Sequence, residues 1–482
     1  MANKKKGSGI ISISAIVFGR KDADRDRRGY DHEPIPAGNR GARSRKNPRP
    51  LFFVLAAAVV TGGGQISRAP DPWAGIAERY VKLVLAVGQH DADYVDAFYG
   101  PADWRKQAEA AKATLPAIDE QAATLLSVLK AAATPPTKGR EEAELWTLRR
   151  QYLDRQLSSL RARVAMLQGK NLTFDEESQA LYDAVAPVKT EAEFQAVLTE
   201  LESKLPGEGT IIERYDRFKQ GFVIPKANVD RVFQEAIRAC RQRSLGPVQL
   251  PMEERFTLEY VTGKSWSGYN WYQGNYRSLI QINTDLPIYI DRALDLACHE
   301  GYPGHHVYNA LLEKVLVRDR RWIEFTVYPL FSPQSLIAEG TANYGIEVAF
   351  PTADRVQFEA DILFPLARLD AARAGEYYAV LELVDRLSYA GNEAARRYLN
   401  GTIDRAAAVA WLEKYALYTQ PRAEQRVKFI EQYRSYVINY NLGKDLVRAY
   451  VERRMGRDKT PARRWREFVA LLSSPRLPSG LK

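Results

Sequence analysis

From about residue 70 to residue 245, apolar side chains recur every three or four positions, the period of an amphipathic helix. One such stripe runs through Leu145, Leu148, Tyr152, Leu157, Leu160, Val164 and Leu167. Thr173 followed by Glu176, and Thr190 followed by Glu193, are capping boxes in which hydroxyl and carboxylate satisfy free backbone donors of a first turn. Pro135-Pro136, Pro187, Pro206-Gly207 and Pro225 punctuate the helices. Between Phe256 and Pro287 the period changes. Residues 257–261 and 276–282 alternate around a stretch rich in Gly and aromatic residues, which predicts a small hairpin or sheet. Helical patterning resumes at Asp291 and lasts to about Arg466 without a dividing linker. The expected fold is mainly α, a single large helical domain with a small β-hairpin or sheet beside its cleft.

The first 50 residues carry no such period. They mix Lys4-Lys5-Lys6, Arg27-Arg28 and Arg43-Ser44-Arg45-Lys46 with Gly, Pro and Asn, and read as a disordered basic extension. Ten apolar residues follow at 51–60, with Arg49 before them and Thr61-Gly62-Gly63-Gly64 after. That order belongs to a secretory signal, here placed over 51–66, and the run is too short for a membrane span of roughly 20 residues. Cleavage at 62–69 leaves a domain over 67–482 with no stable transmembrane segment, exported to the periplasm or beyond. An uncleaved segment would tether the protein to the membrane instead.

Charge follows the same division. The net charge of +10 over 482 residues invites an anionic partner. Residues 1–50 hold 13 basic and 5 acidic side chains, so they contribute +8, and the rest of the chain is nearly balanced. Nucleic acid is therefore not an expected partner of the domain. With only Cys240 and Cys298, neither a disulfide framework nor a Cys-rich zinc module is expected, and Cys298 reads as a small buried apolar residue.

Histidine is scarcer and more informative. Three of the five histidines, His299, His305 and His306, fall within eight residues, in Cys298-His299-Glu300-Gly301-Tyr302-Pro303-Gly304-His305-His306. The segment begins like the zinc-protease motif, in which two histidines four apart on a helix bind metal and the intervening Glu activates water. Pro303 stands where the second histidine would be. It lacks the N–H that would bond the His299 carbonyl and its ring clashes there, so the helix must kink or end. On one unbroken helix His299 and His306 would stand two turns apart, about 10.5 Å, too far to share an ion with bonds of about 2.0–2.1 Å. A break that lets a second helix start near His305 brings His305 or His306 back toward His299. Glu339 is the best third ligand: Ser332-Pro333 starts its helix, and Gly340 lets another backbone come close. Glu313 and Glu347 compete, although Glu313 reads as part of a solvated helix face.

These residues resemble a known family. The His-Glu-x-x-Pro-Gly-His-His signature, followed some thirty residues later by Ala338-Glu339-Gly340, is similar to the bacterial family called domain of unknown function 885, which is related in helical architecture to Taq-type metallocarboxypeptidases of the gluzincin kind. The segment 433–444, with Tyr440 and Gly443, resembles that family's closing Tyr-x-x-Gly run. The resemblance covers roughly residues 250–450, and Thr341 stands where the family usually has Trp. It implies one Zn²⁺ held by His299, His305 and Glu339, with His306 as alternative ligand and Glu300 as general base.

The function expected is zinc-dependent hydrolysis of peptide or small amide bonds, of a carboxypeptidase or dipeptidase kind. Tyr436 and Tyr440 are candidates for stabilising the oxyanion, and Arg434 for gripping a substrate carboxylate. The strand from Tyr276 to Asn283 is a candidate edge for an extended peptide. Trp266, Tyr269, Trp271 and Tyr272 line either a cleft or the core. Two other readings fit the same residues: an extracytoplasmic helical binding protein whose metal is structural or vestigial, and a zinc hydrolase of non-peptide amides or esters.

Overall fold

A computed structural model describes residues 71–482 except Ser265, so the expected extension at 1–50 and the segment 51–66 lie outside the described residues. The capping boxes at Thr173 and Thr190 form, and a third, Thr210 with Glu213, starts the helix Ile211–Gln220. The predicted stripe lies on the helix Arg140–Leu167, which buries Leu148, Tyr152, Leu157, Leu160 and Val164 and leaves Leu145 and Leu167 half-buried at its ends. The molecule is mainly α, as the periodicity predicts. Among the described residues no helix is long and apolar enough to cross a membrane.

Strands are few: β1 (Val95–Phe98), β2 (Arg255–Val261), β3 (Gly268–Gly274), β4 (Arg277–Asn283) and β5 (Val327–Pro329). β3 and β4 form the expected hairpin, turning at Asn275 and Tyr276, both in the left-handed region at φ 53° and 59°. β2 pairs with β4 in parallel, giving the order β2-β4-β3. This corrects the reading of the Tyr276–Asn283 stretch as a free edge, because β4 is the central strand and both its sides are occupied. β1 pairs antiparallel with β5 across more than 200 residues, within a region whose sequence reads as continuously helical.

Cys240, on the helix Val229–Leu245, forms a disulfide with Cys298, both side chains being fully buried. Cys298 is buried as expected, and the sequence reading did not foresee its bond to Cys240. The bridge ties the turn that carries His299 to a neighbouring helix.

The helices Pro333–Ala349 and Ile438–Met455 pack closely against each other. A Cβ on Gly340 would lie 2.5 Å from the Gly443 carbonyl oxygen, and one on Gly443 would lie 2.7 Å from the Leu336 carbonyl oxygen. Neither neighbour is a flexible side chain that could move aside, so the crossing requires glycine on both helices. Gly443→Ala is expected to destabilise the protein by about 1–3 kcal/mol through overpacking. Gly375, within the helix Ala374–Asp385, has nothing within 4 Å of its would-be Cβ, and Gly375→Ala should stabilise by up to about 1 kcal/mol. Urea unfolding midpoints should move in opposite directions, and a harmless Gly443→Ala would refute the close contact.

Candidate metal centre

The helix Ile290–Leu296 runs into a wide turn over Ala297–Gly301 that carries His299 and Glu300, and it stops before Pro303. The chain then folds back: the Gly304 N–H donates to the Cys298 carbonyl at 2.9 Å, and a Cβ on Gly304 would sit 1.8 Å from the His299 carbonyl oxygen. Only glycine fits there, and a second helix, His305–Leu311, begins at the next residue. The predicted break thus places His305 beside His299, with Nε2 atoms 3.1 Å apart.

Glu339 enters from the second turn of Pro333–Ala349. Its Oε2 lies 3.3 Å from His299 Nε2 and 3.8 Å from His305 Nε2. One donor atom from each residue falls within 4.8 Å of the others. The Tyr436 hydroxyl donates to Glu339 Oε1 at 2.8 Å, while Oε2 is buried without a hydrogen-bond partner among the described residues. The other side of His299 is also fixed. Asn343, one turn after Glu339, donates from Nδ2 to the Tyr440 carbonyl at 3.2 Å, which turns its Oδ1 toward His299 Nδ1 at 3.1 Å. A proton held on Nδ1 leaves the Nε2 lone pair facing Glu339 and His305, the tautomer a metal requires.

The donor set fits a divalent cation: two imidazole nitrogens and a carboxylate oxygen lacking a hydrogen bond converge on one point, and three protein ligands leave a fourth position open. The electrostatics agree. Burial pushes the His305 pKa down to about 4, helped by the charge of His299, so this imidazole is neutral at physiological pH. Burial also opposes the charge on Glu339, but the adjacent His299 and His305 imidazoles and the Tyr436 hydroxyl outweigh it and hold the carboxyl below its ordinary range. Burial raises Glu300 to about 7 against the pull of His299.

Other predicted site residues lie elsewhere. His306 is fully buried behind the centre, its Nδ1 2.9 Å from Ser278 Oγ and its Nε2 3.0 Å from Glu254 Oε2. With both nitrogens engaged, it does not join the cluster. Arg434, proposed as a carboxylate grip, donates instead to the buried Glu177 at 2.6 Å. Tyr276 is at the hairpin turn, where its N–H donates to Glu313 and Arg318 covers its ring at 4.9 Å. Asn283 donates to the carbonyls of Lys264 and Trp266 and so anchors the loop entering β3. Arg434, Tyr276 and Asn283 are therefore corrected from substrate contacts to structural ones. Glu313 is buried rather than solvated and accepts from Tyr272 at 2.6 Å and from Arg318. Glu347 pairs with Lys444 and Arg448.

A cleft of about 550 Å³ opens over His299, Glu300, His305 and Glu339, with Tyr436 and Tyr440 in its wall. Trp266 and Tyr269 line it, whereas Tyr272 is buried and Trp271 bonds Gln281. Gly268 in β3 passes so close to Glu300 that a Cβ would lie 2.9 Å from its Oε1. Sequence reasoning missed Asn343, although its spacing of four from Glu339 placed it on the same helix face. It also missed Arg292, Arg422 and Arg426, which lie in the cleft and are indistinguishable in sequence from surface arginines.

No protein-family model matches the chain, and no curated protein sequence matches it. Several solved structures are similar in part. A protein of Colwellia psychrerythraea, provisionally described as a lipoprotein, has 15% identity and a TM-score of 0.46 over 78% of this chain and 71% of its own. A protein of Shewanella oneidensis, of unknown function and likewise provisionally described as a lipoprotein, has 12% identity and a TM-score of 0.39 over 82% of each chain. The protein called BsuCP has 11% identity and a TM-score of 0.42 over 83% of this chain and 88% of its own. Likenesses of this degree assign neither a family nor a function.

Proposed function

We propose that this protein is an exported zinc-dependent hydrolase of amide bonds, acting on peptides or small amides. The observation that carries the reading is the convergence of His299, His305 and Glu339 donors within 4.8 Å at the floor of a cleft that also holds Glu300. Export is supported by the apolar run at 51–60 with its small-residue sequel, and by the Cys240–Cys298 disulfide, a bond favoured in oxidising compartments.

Zinc bound by these three side chains would supply Lewis-acid polarisation of the scissile carbonyl and an acidified water. The chain's own residues do the rest. Glu300, next to His299 in the cleft, takes a proton from the attacking water at its carboxylate and returns it to the leaving amine. Tyr436 holds Glu339 in place through its 2.8 Å hydrogen bond, which leaves Tyr440, in the cleft wall, as the better-placed hydroxyl for a developing oxyanion. Asn343 keeps His299 in the ligating tautomer.

Purified protein is expected to hold about one zinc per chain by elemental analysis, a content lost in His299→Ala, His305→Ala and Glu339→Gln. His306→Ala should keep the zinc yet lower stability by about 2–4 kcal/mol, because it strips a partner from the buried Glu254. Zinc lost with His306 but kept without His305 would reverse the ligand assignment. Glu300→Gln should retain zinc and lower kcat by at least a hundredfold on a peptide-library digest followed by mass spectrometry. Undiminished hydrolysis in that variant would sink the reading.

A further inference from the structure

Three arginines line the cleft. Arg422 and Arg426 stand one turn apart on the helix Gln420–Tyr433, and Arg292 approaches from the helix Ile290–Leu296. Arg292 has a carboxylate partner, Asp295, at 3.0 Å. Among the described residues neither Arg422 nor Arg426 is paired with a carboxylate. Arg422 packs over the Tyr418 ring at 4.4 Å, and Arg426 over Phe429 at 4.7 Å and Tyr440 at 5.9 Å. Stacking of this kind fixes a guanidinium plane without neutralising it. The Nε of Arg426 is moreover buried without a hydrogen-bond partner among the described residues, a costly state for a charged donor.

Tyr418 reports the same imbalance. Burial alone would raise its phenol, yet Arg422, Arg426 and Arg292 outweigh burial and hold the pKa below its ordinary value. Buried tyrosines around the histidine cluster shift the other way: Tyr436 and Tyr440 are raised, first by burial and next by Glu339. The cleft thus holds the carboxylates of Glu300 and Glu339 together with the guanidiniums of Arg422 and Arg426, and the ring of Tyr440 lies beside Arg426.

We infer that Arg422 and Arg426 form an anion subsite that binds a carboxylate of the substrate while its amide lies over the histidine cluster. The assignment of substrate class rests on the proposed hydrolase reading. The subsite itself does not, since two arginines without carboxylate partners will hold an anion whether or not an amide is cleaved. The carboxylate has two sources of the same chemistry, a main-chain carboxy terminus and an acidic side chain. A fixed pair of guanidiniums accepts either through charge-assisted hydrogen bonds.

The test is a binding titration of the zinc-loaded full chain, followed by calorimetry, with three probes: N-acetyl-Phe-Ala as the free acid, its carboxy-terminal amide, and N-acetyl-Phe-Ala-Glu-amide. The wild type should bind the free acid or the Glu-containing amide at least tenfold more tightly than the neutral amide, and which of the two wins identifies the source. Arg426→Gln and Arg422→Gln should each erase most of that preference with unchanged melting temperature, and Arg426→Lys should restore part of it. Equal binding of all three probes, or a preference that survives the double Gln variant, would overturn the proposal. An anion preference without hydrolysis would leave the subsite standing and remove the hydrolase reading instead.

Discussion

Two helices touch backbone to backbone at Gly340 and Gly443, and the geometry of the site follows from that contact. A Cβ on either glycine would collide with main-chain atoms of the other helix, so the pair crosses at a separation no larger residue permits. Glu339 directly precedes one of these glycines, and Asn343 lies three residues beyond it. Tyr436 and Tyr440 lead into the other. At this distance the Tyr436 hydroxyl reaches Glu339, and the Tyr440 carbonyl reaches Asn343. One close crossing thus orients both a carboxylate and, through Asn343, the imidazole of His299. A wider crossing would release both at once.

The second constraint is the break at Pro303 and Gly304. Successive helical residues point about 100° apart, so the adjacent His305 and His306 cannot serve one site. His305 faces the cleft and stands within 3.1 Å of His299. His306 faces the sheet, where Ser278 of β4 and Glu254 occupy its two nitrogens. Tyr302 and Arg241 also donate to Glu254, so this buried carboxylate has its charge compensated within the protein. The pair of histidines divides its work: one completes the cluster, and the other fastens the helix carrying it to the β-sheet. The Cys240–Cys298 bridge adds a covalent restraint on the preceding turn.

Local chemistry was legible in the sequence where the cause is local. The caps at Thr173 and Thr190, the stripe on Arg140–Leu167, the proline break and the small-residue approach at Gly340 all arise within a few residues, and the structure has each of them. Long-range pairing was not legible. Nothing near Val95 announces β5 more than 200 residues away, and nothing in β2 says that it runs parallel to β4. Glu313 has the spacing of a solvated helix face, but Tyr272, the hairpin backbone and Arg318 close over it. Arg434 has the exposure pattern of a free cation, and only the fold brings Glu177 to it. For Arg434 and Tyr276 the partner comes from a segment distant in sequence, whereas Asn283 is satisfied by the loop entering the neighbouring strand of its own sheet.

The cluster's electrostatics bear on how a metal would compete there. Glu300 and Glu339 bring two carboxylates into one buried corner with two imidazoles, and such a corner draws in positive charge. In the protein alone that charge can only be protons. Burial opposes the charge on His299, yet the Glu339 carboxylate 3.3 Å from its Nε2 and the charge of Glu300 raise its pKa above the ordinary histidine value, while Glu300 is raised to about 7. A divalent cation on the same donors needs His299 unprotonated at Nε2, so under the proposed function metal and proton exclude each other there. Affinity for the ion should then weaken as pH falls through the range in which His299 takes up its proton. His305, held neutral by burial down to about pH 4, would contribute little to that dependence. Two chemically identical imidazoles thus differ in their response to acid because one lies closer to the Glu339 carboxylate and the other is chiefly desolvated.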